Sequence, residues 1–518
     1  MGRIRLGLVL LGWSVLGLSH ASAADLAARA AALDSIRPAE LRQYADVLAN
    51  DTYEGREAGS RGGQAAARYL ADVLRRYPVR PAGEQGSFVQ EFGAGYRNLL
   101  AMVEGTDPRL KEQVIVVGAH YDHVGYGTPQ NSYGPTGYIH NGADDNASGV
   151  AAVLEVLEAL SRPGAGLSRS VLFAFWDAEE KGLLGSKHWL NHPTVPPEQV
   201  VLAINLDMIG RLRQERLEVY GTRTAHGLRR MLGEANRHAE LLLEFPWEMR
   251  DDSDHYPFYE RGIPTLMLHT GLHRDYHRPS DDVEKLNVEG MQRVARLLVA
   301  LLWQVDGRTE LPAFRPASRH ERLGEQLRLE EPTPAPPGRL GIRYAAAEDG
   351  VLVTEVLAGS PAAEAGLKAG ERIVQFAGQR LVETARFGAL VLAAESPVQA
   401  VVSSAGKDEV REVLLELAGP PVRVGVTLRA DDAEPFSALV VGVTPGSPAA
   451  LAGLAVRDRV YAVNGRGFDS VDELRALLLT LPSPLLIEYE RRGRLREAVV
   501  ELAAPLADES RASPPPPK

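Results

Sequence analysis

The chain has no cysteine in 518 residues. That excludes disulfide staples, and it excludes lipid attachment at an N-terminal cysteine. Basic residues are in deficit: 57 Lys and Arg stand against 68 Asp and Glu, a formal net charge of −11. No basic stripe interrupts this balance, so nucleic acid is not an expected partner, since phosphate contacts need clustered Lys and Arg. Beyond the N-terminal leader no long apolar run occurs, and stable membrane insertion is not expected. H-E-x-x-H and G-x-S-x-G are both missing, which leaves those two hydrolase mechanisms without support.

What remains is ordinary globular material. Hydrophobic residues make up 45% and charged residues 24% of the chain, enough apolar side chain for a sizeable core. The length suggests about three domains. The opening MGRIRLGLVLLGWSVLGLSHASA has basic Arg3 and Arg5, an apolar stretch from Leu6 to Leu18, and Ala21 and Ala23 at A-x-A spacing. It reads as a secretory signal peptide over 1–23. The expected location is therefore periplasmic or extracellular, and an exported chain without disulfides fits a bacterial envelope or secreted enzyme stabilised by its core.

Residues 24–306 alternate strand-like apolar runs with helix-period segments, the pattern of an α/β domain with a mixed, mostly parallel sheet flanked by helices. VIVVGAH (114–120), VLFAFW (171–176), VLAINLDM (201–208) and IPTLMLH (263–269) read as buried strands. SGVAAVLEVLEALSR (148–162) and EGMQRVARLLVALLWQV (289–305) read as helices. The proline-rich segment 307–338 shows no apolar period and reads as a semi-extended linker. After it, GSPAAEAGLKAGERIVQFAGQRL (359–381) matches GSPAALAGLAVRDRVYAVNGRGF (446–468), a spacing that suits tandem small domains. Both copies resemble PDZ domains, giving small β-rich units over 339–418 and 422–504. Such domains bind extended peptide segments by adding a strand to a sheet edge; for the second copy, packing on the catalytic domain is an equal reading. The tail 505–518 reads as disordered.

The strand ends carry the chemistry. After VIVVGAH come His120, Asp122 and His123; IHNGADDNASG supplies Asp144 and Asp145; VLFAF leads to Glu179 and Glu180; VLAINLDM ends near Asp207; and GLHRDYHRPSDD supplies His277. In a parallel sheet the carboxyl ends of the strands share one edge, where ligands bind. Histidines and carboxylates without thiolates suit Zn²⁺. A two-metal site needs a bridging carboxylate, terminal ligands on each side and a separate base for water. Adjacent residues in extended chain point apart, so of Glu179 and Glu180 one can ligate while the other faces water.

GAHYDHVG, GADDNASG, DAEEKGLLGS, NLDMIG and YHRPSDD together resemble metallopeptidase family twenty-eight, the dinuclear zinc aminopeptidases, over 25–306. DTYEGREAGSRGGQAAARYLADVLRR (51–76) is similar to the family's opening. The resemblance implies two Zn²⁺ per chain, with Asp144 bridging them, His120 and Asp207 on one ion, and Glu180 and His277 on the other. It implies Glu179 as general base, Asp122 as the carboxylate orienting His120, and a strained or cis peptide between Asp144 and Asp145. Asp254, His255 and Tyr276 are candidate pocket residues; His123, Asp281 and Asp282 read as pocket wall or helix caps. Asn146 stands in an N-x-S triplet, where glycosylation would obstruct the loop. The expected activity is hydrolysis of N-terminal peptide bonds in peptide or protein substrates. Two other readings stand beside it: a single-zinc glutaminyl cyclase, and a catalytically inactive scaffold serving as a PDZ adaptor.

Overall fold

The computed structural model describes residues 23–334, 338–382, 384–404 and 409–502. The expected signal peptide, save its last residue, and the expected disordered tail lie outside the described residues. Among those described, no helix is long and apolar enough to cross a membrane.

Nine strands form the first sheet: β1 (Arg80–Pro81), β2 (Val89–Phe92), β3 (Tyr96–Val103), β4 (Val114–His120), β5 (Ser170–Trp176), β6 (Val200–Leu206), β7 (Arg216–Tyr220), β8 (Leu242–Glu244) and β9 (Thr265–His269). Their order is β1-β3-β5-β4-β6-β9-β7-β8, with β2 on β3. The four strands legible as apolar runs, β5-β4-β6-β9, are parallel to one another and lie at the centre. Antiparallel pairings flank them on both sides, through β3 with β5 and through β7 with β9. The edge pair β7–β8 is parallel as well, but the central part is the one buried on both faces, which is why its strands read as continuous apolar runs.

Alternate residues of the central strands serve two cores. Ile115, Val117, Ala119, Val171, Phe173 and Phe175 face a layer of helices. That layer includes α1 (Ala23–Ser35), α2 (Pro38–Leu48), α3 (Arg61–Leu74), α4 (Gly149–Ser161), α6 (Leu228–Ala235) and α8 (Val288–Asp306), with α5 (Leu184–Asn191) and α7 (His255–Glu260) on the other face. Val116, Leu172, Ala174 and Trp176 meet Trp189 of α5 and Phe258 of α7 there. Each fully buried Val, Leu or Phe contributes roughly 1.5–3 kcal/mol, so the register is strongly set: a one-residue slip would exchange the two cores.

The segment 307–338 differs from the extended linker read from its composition. It carries a short helix, α9 (Leu323–Glu330), and buries Arg315 and Ser318. Arg315 gains order from an ion pair with Glu321 at 2.6 Å, a contact that apolar periodicity does not reveal.

Two β-rich units follow with the same plan. The first has β10 (Ile342–Ala347), β11 (Gly350–Val356), β12 (Arg372–Phe376), β13 (Gln379–Arg380), β14 (Val398–Ser403) and β15 (Val410–Leu415), with helices α10 (Pro361–Glu364) and α11 (Phe387–Ala393). The second has β16 (Val426–Arg429), β17 (Ala438–Val443), β18 (Arg459–Val463), β19 (Leu485–Arg491) and β20 (Arg494–Val500), with α12 (Pro448–Leu451) and α13 (Val471–Thr480). The repeated GSPAA is a helix start: Ser360 and Ser447 accept from Ala363 N and Ala450 N, and Pro follows at the first helical position. Gly341 and Gly425, both at positive φ, lie where a Cβ would come within 2.2 Å of those serines' Cβ atoms.

The second unit covers the sheet edge at β8. Leu243 N donates to Arg492 O at 2.9 Å, and Asn236 Nδ2 donates to Gly493 O at 2.8 Å. The β19–β20 turn thus occupies backbone groups that an edge strand would otherwise expose.

Candidate metal centre

Because β4, β5, β6 and β9 run parallel, their carboxyl ends open on one crevice. His120 ends β4, Glu179 and Glu180 follow β5, Asp207 follows β6, and His277 lies in the loop after β9. Non-glycine residues with positive φ stand beside three of these positions or at them: Ala178 (56°), Met208 (53°) and His277 (50°). Strained backbone of this kind gathers where side chains must be aimed at a site.

Two groups of donors converge. His120, Glu179 and Asp207 form one; His123, Asp145, Glu180 and His277 form the other. Asp145 stands between them, with Oδ1 3.3 Å from His120 Nε2 and Oδ2 3.0 Å from His277 Nε2. His120 Nε2 is 3.6 Å from Asp207 Oδ1, and His277 Nε2 is 3.2 Å from Glu180 Oε2.

Asp144, expected at the bridge, is not there. Its Oδ1 accepts from Gly210 N at 2.6 Å and Ser148 Oγ at 3.0 Å, and its Oδ2 lies 3.0 Å from His273 Nε2. The turn explains the exchange. Asp281 Oδ2 accepts from both Asp144 N and Asp145 N, at 2.9 and 3.1 Å, gripping the loop from below. The chain then extends at Asp145 (φ −105°, ψ 94°), which throws that side chain into the crevice and tucks Asp144 beneath it. The cis peptide is correspondingly one bond later than expected, between Asp145 and Asn146. Asn146 is fully buried, donating to Leu206 O and accepting from Gly149 N and Met208 N.

Of the other expected residues, His120, Glu179, Glu180, Asp207, Tyr276 and His277 line the crevice. His120 and His277 turn Nδ1 toward the carbonyls of Asp122 (3.2 Å) and Asn131 (2.8 Å). A carbonyl only accepts, so Nδ1 carries the proton and Nε2 offers its lone pair to the crevice. Asp122 holds the glutamate pair more than the imidazole: its carboxylate accepts from Glu179 N at 3.0 Å and Glu180 N at 3.3 Å, while His120 Nδ1 is 3.7 Å away. Tyr276 lies on His277, ring centroids 4.0 Å apart. Asp254 accepts from Ser186 Oγ, and His255 is buried with both ring nitrogens unpartnered.

Sequence reasoning passed over two residues. His123 Nδ1 is 2.8 Å from Glu180 Oε1, so this histidine belongs to the donor set rather than the wall. Its spacing from His120 was visible; its direction was not. Arg56, fully buried, donates to the carbonyls of Leu48, Tyr121, Asn141 and Gly142, tying the His120 loop to the Asp145 loop. Burial lowers its pKa to about 10, against the pull of Asp145 and Asp122.

The donor set fits divalent cations. Burial first, then Glu180, Asp254 and Asp207, push the Glu179 carboxyl well above the usual carboxylate range, with His120 opposing. Asp207 Oδ1 and His123 Nε2 are buried without a hydrogen-bond partner. Unpaired charge at this depth costs several kcal/mol, and nitrogen and carboxylate donors at this spacing are what Zn²⁺ takes up.

Fold and site together define a metallopeptidase-type α/β domain. Residues 98–302 match peptidase family M28, and residues 352–415 and 439–491 match PDZ domains. The chain therefore carries an M28 peptidase domain followed by two PDZ domains. Among curated proteins it is similar to leupeptin-inactivating enzyme 1 of Streptomyces exfoliatus, 28% identical over 297 residues, covering 53% of this chain and 62% of that one. It is also similar to aminopeptidase YwaD of Bacillus subtilis, 28% identical over 209 residues, covering 38% and 42%. The chain thus spans less than two thirds of either relative. Among solved structures, the LapA aminopeptidase of Legionella pneumophila overlaps with a TM-score of 0.46 at 21% identity, covering 60% of this chain and 81% of that one. The glutaminyl cyclase of Porphyromonas gingivalis overlaps with a TM-score of 0.43 at 20% identity, covering 51% and 97%.

Proposed function

We propose that this protein is an exported aminopeptidase that hydrolyses N-terminal peptide bonds at a two-zinc centre. The observation that carries the reading is the position of Asp145 between two donor groups that are each complete. His120 and Asp207 would hold one ion, Glu180 and His277 the other, with Asp145 shared and His123 beside Glu180. When bound, the two ions supply Lewis acidity to the scissile carbonyl and lower the pKa of water. Glu179, whose carboxylate is engaged by neither histidine of the second group, takes the proton from the attacking water and returns it to the leaving amine. Its raised pKa suits a group that must hold a proton between those two steps.

A single-zinc cyclase would not need a second full set of donors, and an adaptor would not need Glu179. Metal analysis of purified protein decides between one and two ions per chain. Aminoacyl chromogenic substrates then test the activity; two bound zinc ions with no release of any N-terminal residue would refute the reading. Export is tested by the mature N-terminus, expected at Ala24. The PDZ domains are read as peptide-binding, the first more freely than the second: in the second, Arg475 Nη2 already donates to Leu428 O of β16 at 3.2 Å.

A further inference from the structure

Two buried arginines join the M28 domain to the second PDZ domain. Arg223 gives Nη1 to both Asp431 oxygens at 2.9 Å, and its Nε and Nη2 to Glu321 at 2.7 and 2.8 Å. Arg229 gives Nε to Glu490 Oε2 at 2.7 Å and its backbone N–H to Glu434 at 3.1 Å. Arg459 closes the lattice from within the PDZ domain, donating to Asp431 at 2.8 Å and Ser437 at 2.9 Å. Asp431, Glu434, Ser437, Arg459 and Glu490 are buried, and Arg223, Glu321 and Arg229 keep only 10%, 12% and 15% of their side chains exposed.

The same two guanidinium groups lie on aromatic rings. Arg223 stands 3.5 Å from the centre of Trp247, and Arg229 stands 4.4 Å from the centre of Phe245. Both rings are 8% exposed. They belong to one segment, 245–254, which leaves β8 and reaches α7 without regular secondary structure. Further along it, Arg250 and Asp252 line the metal crevice with Met208, Met267, Leu272 and Tyr276. At its far end Ser253 accepts from Asn205 Nδ2 at 2.8 Å, and Asp254 bonds Ser186. An irregular segment has no ladder to fix it, so its anchors decide its place. One anchor is the catalytic domain itself; the other is a pair of arginines whose direction the PDZ carboxylates set.

We infer that the second PDZ domain is a positioning element of the substrate pocket: through Asp431 and Glu490 it aims Arg223 and Arg229, which hold Trp247 and Phe245 and so place the Arg250–Asp252 wall. Cation–π contacts are strongest when the cation is desolvated and its plane fixed, and the carboxylates do both. The inference rests on the proposed aminopeptidase reading for the word substrate, though the wall's dependence on the lattice does not.

The test uses the full zinc-loaded chain carrying Asp431→Asn, with Trp247→Leu as a second variant that leaves the ion lattice intact and Trp247→Phe as its conservative rescue. Hydrogen exchange is read on peptides spanning 245–254, beside metal content, kcat and KM for aminoacyl reporters. Asp431→Asn and Trp247→Leu should each raise exchange in 245–254 by roughly tenfold. KM should rise about three- to tenfold while kcat and metal content hold, and Trp247→Phe should restore both. Unchanged exchange across 245–254 in both Asp431→Asn and Trp247→Leu would overturn the inference. So would a change in which metal is lost and kcat falls with KM unmoved. Raised exchange in a protein that cleaves no reporter, wild type included, would keep the inference about the wall and remove the aminopeptidase reading.

Discussion

The metal crevice and the interdomain lattice are both buried assemblies of carboxylates, and they are resolved in opposite ways. In the lattice Asp431, Glu321 and Glu490 each meet a guanidinium of this chain, and Glu434 accepts the backbone N–H of Arg229. Asp431, which burial would raise, is brought down to a pKa of about 2 by Arg459 and Arg223, and Glu490 is likewise lowered by Arg229. In the crevice Asp145 and Glu180 meet imidazoles, and Asp207 Oδ1 has no hydrogen-bond partner, lying 3.6 Å from His120 Nε2. Arg56, fully buried beside the crevice, spends its donors on backbone carbonyls. An acidic cluster closed by its own cations is finished as structure, whereas one left open is built to receive a cation from outside.

The largest expected effect lies at the proposed bridge. Asp145→Asn should lose both metals together, along with activity, whereas Asp144→Asn should retain more metal, because Asp144 supports the loop from beneath. Elemental analysis of the two variants measures this, and two full-occupancy metals in Asp145→Asn would remove the bridging role. Next, Glu179→Gln should keep its metals and lose kcat by about 10²-fold or more. Equal metal loss in Glu179→Gln and Glu180→Gln would erase the division of labour between these neighbours.

On the lattice side, Arg223→Ala leaves Asp431 with Arg459 alone and frees Trp247, so denaturant midpoints should report a loss of about 2–3 kcal/mol. A chain cut after Asp306 should suffer more, since it leaves both Arg223 and Arg229 without their PDZ partners. A third acidic pocket sharpens the contrast. Glu155 is 1% exposed, accepts only from Arg37 N, and sits between Glu40 and Glu158. Burial first, with Glu40 and Glu158 adding, raises its pKa to about 8, against the hydrogen bond from Arg37. A carboxyl whose folded pKa is raised favours the fold below its ordinary value near 4, and that contribution is lost as pH rises through about 8. Wild type should therefore weaken between pH 5 and pH 8.5 by about 3–4 kcal/mol, while Glu155→Gln should not; urea midpoints at the two pH values decide it. The smallest effect belongs to a surface pair whose arginine is exposed, Arg411 with Glu371, where Arg411→Ala should cost under about 1 kcal/mol.

Much of the chemistry was legible in the chain itself. Four apolar runs announced the central parallel strands, because strands buried on both faces leave no polar alternation. Once those strands are parallel, histidines and carboxylates just past their ends must meet, so the convergence of these donors, Glu179 and Glu180 among them, followed from order alone. The duplicated GSPAA stretch declared two copies of one small domain, since a cap and a proline start a helix by local rules. Tertiary structure decided the rest. Whether Asp144 or Asp145 enters the crevice depends on the Asp281 carboxylate, well over a hundred residues away in the chain. His123 could be counted but not aimed, because a side chain in a loop takes its direction from its neighbours in space. The docking of the second PDZ domain joins Arg223 to Asp431 and Arg229 to Glu490 across more than two hundred residues. Local propensity carries no record of such pairs, because their stability exists only once both partners have been buried together.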